Sequence, residues 1–158
     1  MNSKRLAYAD ELIPLMEERI KNGGSVRFTP RGISMLPMLR SGLDSVVLSP
    51  APEKLKKYDV PLYRRDNGRY VLHRVVGVGE TYTCIGDNQF KKEKGIRQDQ
   101  IVAVVTSFIR KGKEYDINNF GYKLYCRAWH YTRFPRRAVR SLKYRLGALF
   151  KRIKLNGK

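Results

Sequence analysis

Apolar residues recur at spacings of three and four near the start of the chain, at Leu6, Ala9, Ile13, Met16 and Ile20. That period places them on one face and predicts an amphipathic helix from about Arg5 to Lys21, kinked or delayed by Pro14 and stopped by Asn22-Gly23-Gly24. The period then drops to two. Val26 to Thr29 predicts a short strand that Pro30-Arg31-Gly32 breaks, and Asp44 to Ser49, with Val46, Val47 and Leu48, predicts a second. After a polar, proline-containing loop from Pro50 to Lys57, Val60 to Arg65 and Arg69 to Val78 flank Asp66-Asn67-Gly68, where Asn-Gly is a strong hairpin signal. Gly79-Glu80 turns the chain into Thr81 to Ile85, and Ile101 to Arg110 returns through Lys111-Gly112 into Glu114 to Ile117. Strands at this spacing, joined by tight turns, predict a mainly β chain built as a small antiparallel sheet or barrel.

After Phe120 the helical period returns. Tyr122, Tyr125 and Trp129 share one face, Pro135 suits the first turn of a further helix, and Val139, Leu142, Leu146, Leu149 and Ile153 form a second stripe. The predicted organisation is a β body with its N-terminal helix over residues 1–119, followed by a basic amphipathic helical tail over 120–158. No internal repeat or low-complexity tract interrupts it.

Charge sharpens that division. The chain of 158 residues carries a formal charge of +19, and from Gly121 to Lys158 there are twelve Lys or Arg and no Asp or Glu. Such a tail suits an anionic surface: apolar side chains enter a headgroup boundary while the cations meet anionic lipid. Two other readings stand beside it. The aromatic face can pack on the β body, or the cations can meet nucleic acid, although no nucleic-acid reader motif accompanies them. The longest mainly apolar run, Ile101 to Ile109, is far short of the roughly 20 residues that span a bilayer. Asp10 and Glu11 stand where a signal peptide needs its apolar core, so the expected location is the cytoplasm, peripheral on the inner membrane surface if the tail binds lipid. Cys84 and Cys126 are too few and too far apart for a metal motif and are expected as reduced thiols. Neither a metal nor another cofactor is expected.

The candidate chemistry lies in two short stretches. Ser34 opens Ser34-Met35-Leu36-Pro37, in the loop after the first strand, and His73 sits within Tyr70-Val71-Leu72-His73-Arg74-Val75-Val76, which reads as one buried strand. A serine hydroxyl is a poor nucleophile until a base takes its proton, and a neutral imidazole can do so at pH 7. Strand alternation puts His73 on one face with Val71 and Val75, where partial burial keeps it neutral.

Around these residues, Gly32-Ile33-Ser34-Met35-Leu36-Pro37-Met38-Leu39, then Ser41-Gly42 and Asp44, then His73-Arg74-Val75-Val76, then Gly86-Asp87-Asn88 follow in order. This succession resembles the signal peptidase I and SOS-repressor autoprotease superfamily of serine proteases, over about Val26 to Ile109. The resemblance implies that Ser34 is the nucleophile. Because His73 falls where the bacterial leader peptidases and SOS repressors carry lysine, the likeness is to the endoplasmic-reticulum type of signal peptidase. In that branch an Asp in the Gly-Asp-Asn block and a second acid six positions on are carried. Asp87 matches the first and Glu93 stands at the second, so either can be the acid that orients His73. The Ser34 backbone N–H is the implied oxyanion donor. Gly32 occupies the position where many signal peptidases place a second, hydroxyl donor, and Met35 is implied as a shaper of the loop. The departures are the missing transmembrane anchor and the roughly 25 residues before the first strand, too few for a repressor's DNA-binding domain.

The expected function is therefore a serine endopeptidase that cuts a peptide or leader segment through an acyl-enzyme, with small side chains implied at the cut. The alternative is a catalytically inert module of the same fold that binds membrane or nucleic acid through its tail. Substrate, cleavage preference and oligomeric state are not encoded in these patterns.

Overall fold

A computed structural model describes residues 13–139 and 141 of the chain. The predicted helix before Ile13 and the stripe from Leu142 to Ile153 lie outside the described residues. The elements are helix α1 (residues 13–21), β1 (Val26–Phe28), β2 (Ser45–Ser49), β3 (Pro61–Arg64), β4 (Tyr70–Leu72), β5 (Arg74–Val78), β6 (Tyr82–Ile85) and β7 (Glu93–Ile96). A 3₁₀ turn (Gln98–Gln100) leads into β8 (Ile101–Arg110), β9 (Lys113–Asp116), α2 (Phe120–Tyr131) and α3 (residues 133–139).

The fold is mainly β, with antiparallel sheets and flanking helices. One sheet runs β1-β2-β8-β3-β4, with β9 also paired to β8, and a second, smaller sheet runs β5-β6-β7. β8 is long enough to serve three partners: β2 pairs along Val104 to Ile109, while β3 takes Ile101 to Val104 and β9 takes Ser107 to Arg110.

Both faces of the large sheet are covered, which explains the near-continuous apolar runs in its central strands. Leu62, Leu72, Ala103 and Val105 point into one core with Met16 and Ile20 of α1 and with Met35, Met38 and Leu39 of the Ser34 loop. Tyr63 and Val104 point the other way, into a second core with Val75, Tyr82, Cys84 and Ile96 of the small sheet. Period-two alternation thus sends neighbouring residues of β3 and β8 into different cores.

The β8–β9 hairpin forms as its turn residues predict, with Lys111 and Gly112 both at positive φ (52° and 75°), the pair a two-residue I′ turn requires. At the other hairpin only Gly68 (φ 79°) is positive, and the bonds Gly68 N–H to Arg65 O and Arg65 N–H to Arg69 O enclose a longer turn.

The predicted strand from Arg69 to Val78 is two strands. It breaks at His73, where β4 leaves the large sheet and β5 enters the small one. At this change of direction the Arg74 guanidinium is bonded inward to Asp87, and Leu72, His73, Arg74 and Val75 are all buried. β7 was not legible, because Lys-Lys-Glu-Lys-Gly-Ile has no alternation. It exists through its pairing with β6, Cys84 opposite Glu93 and Tyr82 opposite Ile96.

The aromatic face of α2 packs on the β body. Asn119 caps the helix, its side-chain oxygen accepting from Gly121 N–H at 2.8 Å. Tyr122 bonds Arg74, Trp129 Nε1 donates to Asp87 O at 2.9 Å, and Cys126 is buried. Residues 120–131 are thus joined to the body from which the sequence pattern separates them. Both cysteines are free and buried.

Candidate active site

Ser34 lies in the loop between β1 and β2, and the loop is held at three points. Asp44, fully buried, accepts from Arg40 N–H at 2.8 Å and from its guanidinium at 2.6 Å, closing the far side. Met35, Met38 and Leu39 anchor it in the large sheet's core. The third hold comes from the Gly86-Asp87-Asn88 segment: Asn88 N–H donates to Ser34 O at 2.8 Å, and Asn88 Nδ2 donates to Ile33 O at 3.0 Å. Gly86 permits this approach. A Cβ there would sit 2.6 Å from Ser34 O and 3.0 Å from Ser34 Cβ.

These bonds leave the Ser34 N–H and hydroxyl without a hydrogen-bond partner among the described residues. The amide is therefore available as an oxyanion donor. Gly32 adopts φ 117°, a conformation open to glycine, and its N–H is already given to Ser41 Oγ at 2.9 Å. Met35 is buried in the loop's floor.

His73 and Ser34 line the same open cleft of ≈ 350 Å³, together with Phe28, Leu39, Leu62 and Tyr70. No hydrogen bond joins the two among the described residues.

The protonation of His73 is set from behind. Its Nδ1 lies 3.2 Å from Tyr63 Oη, and Tyr63 Oη donates to Glu93 Oε2 at 2.9 Å. Glu93 is in turn clamped by Arg65, with Nε 2.7 Å from Oε1 and Nη2 2.6 Å from Oε2, and these bonds hold its pKa below the usual carboxylate range. An ionised carboxylate only accepts, so the single phenolic proton goes to Glu93 and the Tyr63 oxygen accepts from His73 Nδ1–H. Nε2 then carries the lone pair. Burial pulls the imidazole pKa down to about 4 against the opposing attraction of Glu93, which leaves the ring neutral at pH 7.

The two carboxylates singled out in the sequence thus occupy different surroundings. Glu93 stands 3.9 Å from His73 Nδ1 and reaches it through Tyr63. Asp87 gives both oxygens to Arg74, at 2.8 Å and 2.7 Å, and also accepts from Tyr125 Oη at 3.3 Å. It acts as an anchor, tying the Asn88 clamp to β5 and α2.

Tyr63, Arg65 and Arg74 were not among the sequence candidates. The hairpin carried a usable signal, since Tyr63 pairs with Val71 and His73 N–H reaches Pro61 O at 3.4 Å, which brings positions 61 to 63 beside position 73. Among the described residues, no group of three or more His, Cys, Asp or Glu is placed to hold a metal ion.

No family model, curated protein or solved structure matches the chain. Fold and site together define a two-sheet β protein in which a serine and a neutral histidine face one cleft.

Proposed function

We propose that this chain is a serine endopeptidase. The observation that carries the reading is that Ser34 and His73 line one cleft while Tyr63 and, through it, Glu93 hold the Nδ1 side of the His73 ring. Ser34 Oγ attacks the scissile carbonyl as Nε2 takes its proton, and the oxyanion forms against the Ser34 N–H. The imidazolium then protonates the leaving amine and the C–N bond breaks. Water, deprotonated by the same nitrogen, hydrolyses the acyl-enzyme and restores Ser34.

The substrate is a peptide or leader segment in extended form. β1 and β4 are the two ends of the large sheet's main run, and Phe28 of β1 and Tyr70 to Leu72 of β4 line the cleft, so a peptide can add as a strand beside Ser34. The resemblance to signal peptidases further implies small side chains at the cut. No helix among the described residues is long and apolar enough to cross a membrane. The cationic tail supports a cytoplasmic enzyme, peripheral on the inner membrane surface.

A fluorophosphonate probe tests the reaction. Labelling of the full chain that disappears in Ser34→Ala and falls sharply in His73→Ala supports the peptidase. An unlabelled wild type that also leaves a peptide library intact, with and without anionic vesicles, indicates the inert module instead.

A further inference from the structure

α2 has two apolar faces, and the fold uses one. At about 100° per residue, Tyr122, Tyr125, Cys126 and Trp129 share the face turned to the β body. Phe120, Leu124, Arg127 and Tyr131 fall on the opposite side, within about 60° of one another. The exposures agree: Phe120 is 79% exposed, Leu124 56% and Tyr131 71%, whereas Cys126 is 1% exposed. Phe134, 81% exposed, adds apolar surface on α3, whereas Val139 lines a groove with Trp129 and Leu36 on the body side. Isolated exposed apolar residues are ordinary on a protein surface, but a run of four along two consecutive helices is not.

The cations indicate what would cover it. Lys123 and Arg127 lie on or beside the outward stripe of α2, and Arg137 is exposed on α3. No acidic residue follows Asp116 in the sequence, so nothing in this part of the chain repels an anionic partner. A protein partner's apolar patch would take the aromatic side chains and leave the cations unmatched. An anionic lipid surface takes both, the rings and Leu124 entering the headgroup boundary and the cations remaining at the phosphates.

We infer that the outward stripe Phe120, Leu124 and Tyr131, continued by Phe134 and flanked by Lys123 and Arg127, is a docking surface for anionic lipid bilayers. It gives the peripheral placement proposed above a definite surface and is independent of the chemistry at Ser34. Binding and cleavage are read in separate assays, so the two readings fail separately.

The test is flotation of the full chain with vesicles of phosphatidylcholine alone or mixed with phosphatidylglycerol. Wild type is expected to float with the anionic vesicles, weakly with the neutral ones, and less as salt rises. Leu124→Gln with Phe134→Gln should weaken binding about tenfold or more, because two apolar insertions are lost. Lys123→Gln with Arg127→Gln should weaken it about fivefold per cation. All four positions point to solvent, so circular dichroism should show these variants folded like wild type. Flotation of the Leu124/Phe134 variant equal to wild type would leave only diffuse tail electrostatics and overturn the inference. It is equally overturned if the double substitution abolishes a dimer seen by sedimentation, or binding to an RNA oligonucleotide, while vesicle binding is absent.

Discussion

Glu93 and His73 interact through a phenol. Their closest atoms are 3.9 Å apart, beyond hydrogen-bond length, and Tyr63 Oη lies between them at 2.9 Å from Oε2 and 3.2 Å from Nδ1. Tyr63→Phe removes the acceptor of Nδ1–H without opening a cavity, since only the hydroxyl is lost from a fully buried ring. A hydrogen bond that stabilises a charge contributes about 1.5–3 kcal/mol, so kcat/KM should fall about 10- to 100-fold with KM little changed. An unaltered kcat and pH profile would show that Tyr63 only packs.

Burial of His73 predicts an unusual acid limit. With the folded pKa near 4 and the unfolded one near 6.5, the unfolded chain binds the extra proton first as pH falls. Stability should therefore drop between pH 6.5 and 4 by roughly 3 kcal/mol from this group and then level off. Urea unfolding across that range should show the slope in wild type and a reduced slope in His73→Phe. The acid limb of kcat/KM should lie near 4, and a limb near 6.5 would mean that the ring is solvated.

Asp87 and Glu93 should separate by assay. The Arg74–Asp87 pair is buried, with side chains 3% and 2% exposed. Asp87→Ala leaves a guanidinium unpaired in the interior and should destabilise the protein by about 3–5 kcal/mol, whereas Arg74→Met with Asp87→Leu should cost less. Glu93→Gln, partly exposed, should lower activity far more than the melting temperature.

Gly86→Ala tests the clamp on the Ser34 loop. The new methyl group meets a backbone oxygen at 2.6 Å, so the Ser34 loop must move. A stability cost of about 1–3 kcal/mol is expected. Displacing Ser34 by as little as 1 Å can cost about 100-fold in turnover. Wild-type labelling of Ser34 in the variant would mean that the loop tolerates the shift.

The hairpins, the long β8 and the mainly β class were legible because they follow from local turn chemistry and alternation. Ser34 and His73 were legible as residue types in ordered blocks. The break at His73 was not, because Arg74 turns inward for an acid thirteen residues away, and an apolar run records burial without recording which sheet provides it. Tyr63 was hidden for a related reason. In Pro-Leu-Tyr-Arg it reads as ordinary strand filling, and only the register of the hairpin aligns its hydroxyl with the imidazole. The packing of α2 depends on partners more than thirty residues distant, Asp87 and Arg74, which a helical stripe alone does not name.

Several of the holds on the site cross between the sheets. Asn88 follows β6 and grips the Ser34 loop, Glu93 lies on β7 and steadies His73 through a β3 tyrosine, and His73 is the residue at which the chain passes from one sheet to the other. The small sheet, the Ser34 loop and α2 should consequently exchange their amide hydrogens as one cooperative unit, with a common opening free energy. A partial opening that frees β5 to β7 would release Ser34 and His73 together, so under the proposed peptidase reading an excursion of the native state would leave no half-assembled site.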